Sequence, residues 1–164
     1  MTEQTVWQAP EGQVGPAPGV RFADYGPRLV AYIIDGLLVG AFVIVVMLAW
    51  ALLSLASGGF RDDTLSPGAG AGLAVMMVVL LVGGLGYFPW FWARDGATPG
   101  MKMMGLLLVR DADGGPVTGG QAIIRLVGYA VSGILYLGYI WVFIDKRRRG
   151  WHDLIAGTLM IARP

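Results

Sequence analysis

In the stretch Arg28-Leu-Val-Ala-Tyr-Ile-Ile-Asp35, an arginine opens a long apolar run and an aspartate follows seven residues inside it. Seven residues is close to two helical turns, so both charges fall on nearly the same helix face, roughly 10 Å apart along the axis. A carboxylate near a helix centre in lipid costs about 2.5–3.5 kcal/mol on insertion scales. Asp35 must therefore face protein, find a partner or take up a proton. As a structural clamp, it would accept hydrogen bonds from another segment and fix how the helix packs. As a proton or cation site, it would exploit burial, which raises a carboxylate pKa toward neutrality and permits exchange. Arg28 is too distant for an i,i+4 pair on its own helix. Its side chain can snorkel to headgroups or reach a partner brought close by folding.

A second charged constellation closes the chain. His152, the single histidine, precedes Asp153 and follows the run Lys146, Arg147, Arg148, Arg149. Adjacent His and Asp side chains diverge on a helix, and no nucleophile sits in a recognisable elbow, so the chain reads as non-enzymatic. One histidine is too few for a typical zinc site. The absence of cysteine removes disulfides, thiolate ligands and thiol nucleophiles. No metal or cofactor is expected. Asp153 is expected to cap a short helix, or to bridge to Arg28 or Arg125, so that Arg28, Asp35 and Asp153 converge in one polar network. The basic run can bind anionic headgroups at about 1 kcal/mol per residue, or serve only to set topology. It is too short, and too close to an apolar segment, for nucleic acid. Asp111-Ala-Asp-Gly resembles the start of a calcium loop, but the closing glutamate is missing and a turn is the better reading.

The elements that must position these residues follow from hydropathy. Of 164 residues, 55% are hydrophobic and only 14% charged, against about a quarter charged in soluble domains. An integral membrane helical protein is the class that fits. Residues 1–20 are rich in Pro, Gly and Gln, and read as a disordered tail. They make a poor signal peptide, since Arg21 is the first basic residue and the apolar run is too long. That run, Leu29–Ala56, can span a hydrocarbon core of about 30 Å, as can Leu73–Trp92. Tyr87, Phe88, Trp90, Phe91 and Trp92 suggest an interfacial aromatic belt. Gly36 and Gly40 form a GxxxG element that permits close helix contact, within the chain or between copies. Leu106–Arg110 and Thr158–Ala162 are strand candidates that can pair as a small cytoplasmic sheet.

Residues 122–144 form a third apolar stretch, interrupted by Arg125 and by Ser132-Gly133. Among the twelve basic residues, only Arg61 falls between the first two spans. The positive-inside rule therefore places the N-terminus, segment 94–125 and the C-terminal tail in the cytoplasm. A plain third span would put the tail outside. A re-entrant or interfacial helix pair, broken near Ser132-Gly133, would return it. Both readings stay open at the level of sequence.

Arg28 and Asp35 in RLVAYIIDGLLV, with Asp153 in WHDLIAGTLMI, resemble the signature of the RDD family, named for an arginine and two aspartates. GATPGMKMMGLLLV resembles that family's Gly-x-Thr-x-Gly-Lys stretch, and QAIIRLVG its Arg-bearing helix start. The resemblance covers residues 21–163. One departure is that Met101 stands where the lysine is usual, with Lys102 next. The resemblance implies a bacterial inner-membrane protein with two or three spans, and a signature network of Arg28, Asp35 and Asp153. His152, Arg125, Lys102 and Thr158 are its expected supports. It also implies either a role in transport, handling a proton or cation, or service as a scaffold that docks a larger membrane partner. The lipid bilayer, a second copy or another membrane protein are the expected partners.

Overall fold

The computed structural model of the chain describes residues 16–17, 19–61, 64–133 and 137–163. The expected disordered tail lies almost wholly outside these residues. Its last part makes a turn in which the Val20 N–H donates to the Ala17 carbonyl at 3.0 Å. In order, the elements are α1 (Tyr25–Ala56), β1 (Phe60–Arg61), β2 (Thr64–Leu65), α2 (Pro67–Asp95), α3 (Pro99–Met103), β3 (Leu106–Arg110), α4 (Gly119–Gly133), α5 (Leu137–Ile140), a 3-10 turn (Trp141–Phe143), α6 (Trp151–Ala156) and β4 (Thr158–Ala162). The chain divides into two compact units, residues 36–87 and the remainder. α1 and α2 each contribute to both.

α1 has 32 residues and α2 has 29, and both are apolar enough to cross a membrane. At 1.5 Å per residue they reach about 48 and 44 Å, well beyond a hydrocarbon core of about 30 Å. Within residues 36–87 the two helices form a hairpin closed by the β1–β2 pair, with Phe60 opposite Leu65. Trp50 Nε1 donates to the Ala69 carbonyl at 3.2 Å. A side chain at Gly83 would meet the Phe42 ring at 2.9 Å, so glycine there admits the ring. Gly36 and Gly40 face open space, so the GxxxG element makes no close contact of its own among the described residues.

The other unit holds the small sheet. β3 and β4 pair antiparallel, Leu106 opposite Ala162 and Arg110 opposite Thr158, in the segments expected from sequence. The N-terminal strand-like residue Phe22 bridges Ile161. One core gathers Trp92, Met101, Leu106, Leu108 and Met160; a second gathers Phe22, Val109, Leu159 and Ile161. Burial on both sides explains why these strands read as continuous apolar runs rather than alternating ones.

One sequence expectation needs correction here. Trp92 is not part of an interfacial belt: it is 2% exposed and packed in the core, whereas Trp90 is 62% exposed. The third apolar stretch is broken where the sequence placed a break, near Ser132-Gly133. α4 ends at Gly133, and its axis and that of the following helix through Phe143 differ by 109° across a short break. Because β3 precedes this excursion and β4 follows it in the same sheet, the chain returns to where it left.

Candidate functional site

α6 is too short to stand alone and is defined by its ends. Gly150 takes the N-cap position, and its N–H donates to Asp153 Oδ2 at 3.0 Å, so Asp153 closes the first turn from inside. Gly157, at φ +61°, ends the helix in the left-handed conformation that glycine tolerates best. β4 then begins at once with Thr158.

Asp153 is fully buried, and four groups converge on it. Its Oδ1 accepts a close charge-assisted hydrogen bond from Arg125 Nη1 and lies 3.4 Å from the Thr158 hydroxyl. Arg125 Nη1 also donates to Thr158 Oγ1 at 2.6 Å. Arg28 Nη1 lies 3.6 Å from Asp153 Oδ2, and Arg28 Nη2 donates to the Met160 carbonyl at 3.3 Å. Arg125 is itself fully enclosed, its guanidinium 5.0 Å above the Trp92 ring and 5.5 Å from that of Tyr129. Such stacking stabilises a desolvated cation by about 2 kcal/mol or more. Burial alone would raise the Asp153 pKa, but Arg125, His152 and Arg28 together with the Gly150 N–H outweigh it. The carboxyl is drawn down to about 2.

Asp35 is held from a different direction. Thr98 Oγ1 donates to Oδ2 at 2.5 Å and the Gly100 N–H to Oδ1 at 2.8 Å. Thr98 is also the N-cap of α3, accepting from the Met101 N–H at 3.2 Å, and Pro99 occupies the first helical position. The Gly-x-Thr-x-Gly stretch is therefore a socket for the first aspartate. Gly100 is required there because a side chain would meet the Asp35 carboxyl at 2.9 Å.

His152 is 2% exposed and stacks on Tyr129 at 4.0 Å. Ser132 Oγ accepts the His152 backbone N–H at 3.1 Å and lies 3.3 Å from Nδ1. Burial, reinforced by Arg125 and Arg28 and only partly opposed by Asp153, lowers the His152 pKa to about 3. The 3.5 Å approach of Nε2 to Asp153 is thus a contact of a neutral ring. A depressed histidine pKa contributes stability that is full above about 6.5 and lost as pH falls toward 3. The unfolding free energy should therefore fall by up to about 1.4 kcal/mol per pH unit across that window. In His152→Gln the slope should flatten; an unchanged slope would assign the titration elsewhere.

The structure thus brings Arg28, Arg125, His152, Asp153 and Thr158 together and seats Asp35 on the Thr98–Gly100 turn. Lys102 does not join them. It is 39% exposed and pairs with Asp95 at 2.5 Å, while Met101 is buried in the core. The basic run is also less free than its sequence suggests. Arg147 and Arg149 both bind Asp111, Arg149 also binds Asp145, and Arg148 pairs with Asp24 over the Tyr25 ring. These partners draw the Asp145 carboxyl down, against burial, and raise Arg149. Lys146 is exposed. Sequence reasoning did not pick out Tyr32 or Tyr129, and it read Ser132 only as part of a break in the apolar run. The Tyr32 and Tyr129 hydroxyls lie 2.5 Å apart, and Arg125 Nη2 donates to Tyr129 at 3.3 Å. The Arg125–Tyr129 spacing of four, one face of a helix, was the available signal.

Two helices able to cross a membrane, and a cluster of buried charges drawn from distant parts of the sequence, define a small helical membrane protein with a charge-clamped core. The chain belongs to the RDD family, whose model matches residues 22–157. It is also similar to the uncharacterized protein YxaI of Bacillus subtilis (strain 168), with 28% identity over 147 residues, covering 85% of this chain and 96% of that one. No solved structure matches the chain.

Proposed function

We propose that this protein is a non-enzymatic, non-transporting membrane module: an inner-membrane anchor whose signature charges hold a fixed cap that docks a larger membrane partner or a second copy. The observation that carries this reading is the enclosure of both aspartates. Asp153 and Asp35 are 0% and 1% exposed; Asp153 receives donors from Arg125 and the Gly150 N–H, and both Asp35 oxygens receive donors from the Thr98–Gly100 turn. An exchange site needs a carboxylate that can change partners, whereas a saturated one fixes geometry. The basic run supports the same reading, since its arginines tie loops to one another. The open faces of Gly36 and Gly40 would allow a partner helix to approach closely.

In this reading the N-terminus, segment 94–125 and the C-terminal tail all lie in the cytoplasm. Support comes from the basic residues concentrated there and from the sheet that joins these segments. The α4–α5 excursion is then re-entrant, with α4 and α5 packed on α6, the kind of protein cover such backbone requires. Proton or cation transport through Asp35 is the competing reading. Flux assays in proteoliposomes separate the two. The module reading expects wild type to carry no proton or monovalent-cation flux above empty vesicles. Flux in wild type that disappears in a folded Asp35→Asn chain would establish transport instead.

A further inference from the structure

α4 and α6 are built inside out. Along α4 the buried positions are Ala122, Arg125, Gly128 and Ser132, while Ile123 and Val127 are each 59% exposed and Ile124 is exposed beside them. α6 repeats the inversion: His152 and Asp153 are buried, whereas Leu154 and Ile155 are 40% and 49% exposed. A surface helix of a water-soluble domain does the opposite, turning its apolar stripe to the core and its polar residues outward. The two helices meet along their polar sides. Arg125 pairs with Asp153, and a side chain at Gly128 would meet the His152 backbone at 2.8 Å. Aliphatic side chains are left uncovered on both, and an apolar surface of that kind marks a contact with a partner or with a membrane.

Three observations favour lipid as the cover. The surface continues into a helix able to cross a membrane: Tyr25, at the start of α1, stacks on Phe143 at 4.4 Å, and Leu29 and Phe143 are both exposed there. Its rim is basic. Lys146 follows the exposed Ile144, is itself exposed, and makes no ion pair among the described residues. The acids of segment 119–157 are Asp145 and Asp153, and arginines engage both. A second copy seated by two-fold symmetry would set this basic rim against itself. A leaflet offers hydrocarbon and anionic headgroups side by side.

We propose that α6 is an interfacial membrane helix on the cytoplasmic side. Leu154 and Ile155 lie among the upper acyl chains of the leaflet that surrounds the start of α1, and Lys146 contacts an anionic headgroup. Helices of this type sink their apolar face about 5–10 Å into the boundary between headgroups and chains. The charge clamp, on the opposite face of α6, is then held at the level of the membrane surface rather than in a domain standing off in water. The inference rests on the re-entrant reading of the α4–α5 excursion.

The chain has no cysteine, so a single one can carry a fluorophore. Ile155→Cys and, independently, Leu154→Cys are labelled in the full chain and placed in nanodiscs of mixed phosphatidylcholine and phosphatidylglycerol. Ala112→Cys, exposed in the turn after β3, is the aqueous reference. A nitroxide near the top of the acyl chain should quench labels at 154 and 155 and leave 112 bright, and aqueous iodide should do the reverse. Iodide quenching at 154 and 155 equal to that at 112 would put α6 in water and overturn the inference. Protection from both quenchers would mean that protein covers the face, and would overturn it equally. Ile124→Cys separates the two levels of the argument. Lipid quenching at 124 with iodide quenching at 155 would remove α6 alone from the membrane, whereas iodide quenching at both would remove the re-entrant excursion as well. Nitroxide carried on phosphatidylglycerol should accumulate near 155 over phosphatidylcholine by about fivefold, and Lys146→Gln should abolish that preference. Equal quenching by the two lipids in the Lys146 chain would overturn the headgroup contact.

Discussion

An Asp153→Asn chain is expected to lose about 3–5 kcal/mol of stability, enough to threaten folding at ordinary temperature. The cost is not chiefly that of one lost attraction. Asparagine has nearly the same shape, but it leaves the fully buried Arg125 guanidinium with no counter-charge at that contact and Arg28 without its ion-pair partner. A buried cation stripped of its anion retains the whole desolvation penalty. The amide oxygen accepts at most two hydrogen bonds and its NH2 accepts none, so it cannot serve Arg125, Thr158 and the Gly150 N–H together. Thermal unfolding in detergent or nanodiscs measures the effect. The pH dependence adds a signature. A carboxyl whose pKa is drawn from 3.8 to about 2 contributes stability present above 3.8 and lost as pH falls through that interval. That loss is about 2 kcal/mol and should be missing from Asp153→Asn, while the limb between 6.5 and 3 should be missing from His152→Gln. A loss in Asp153→Asn no larger than that of an exposed-site substitution would refute the clamp.

The second large effect is expected at Gly100. In Gly100→Ala the new methyl meets the Asp35 carboxyl at 2.9 Å and presses on the Ala31 carbonyl, which is backbone and cannot rotate away. Either α3 retreats from α1 or the Gly100 N–H to Asp35 bond breaks. Overpacking of this kind costs about 1–3 kcal/mol, with the lost charge-assisted bond added if the turn moves. Gly36→Ala, on α1 next to Asp35, is the control. Its new methyl meets nothing within 4 Å, and alanine is the better helix former by about 1 kcal/mol, so this variant should be neutral or stabilised. If the two variants unfolded together, close approach at Gly100 would not be the reason for glycine there. A change in oligomeric state in Gly36→Ala alone would identify that face as a contact between copies.

How much of this was legible in the sequence depended on whether a residue was out of place in its surroundings. Asp35 and Arg125 interrupt apolar runs, so each had to be partnered, and the pairing of Arg125 and Arg28 with Asp153 follows from the scarcity of buried charge. The β3–β4 pair was legible because two short β-rich runs stand out against glycine-rich turns. Lys102 misled because a lysine near a motif looks functional, whereas its flexible side chain reached the nearer and more exposed Asp95. The basic run misled for a related reason. Consecutive like charges ordinarily solvate independently, and only folding brought Asp111, some 36 residues earlier, against Arg147. Trp92 was indistinguishable from its aromatic neighbours until helical phase turned it inward while Trp90 stayed out.

The hydrogen bond from Arg28 to the Met160 carbonyl joins residues 132 positions apart. A ribosome therefore delivers the first helix to the bilayer long before the residues that neutralise its polar side chains have been synthesised. Contacts of such sequence separation form late. Throughout that interval Arg28 lacks the folded-state partners supplied by Asp153 and Met160. A message truncated ahead of codon 153 would yield a protein whose helices insert but whose charges stay exposed. The last residues of the fold are thus the ones that complete the charge clamp its first helix begins.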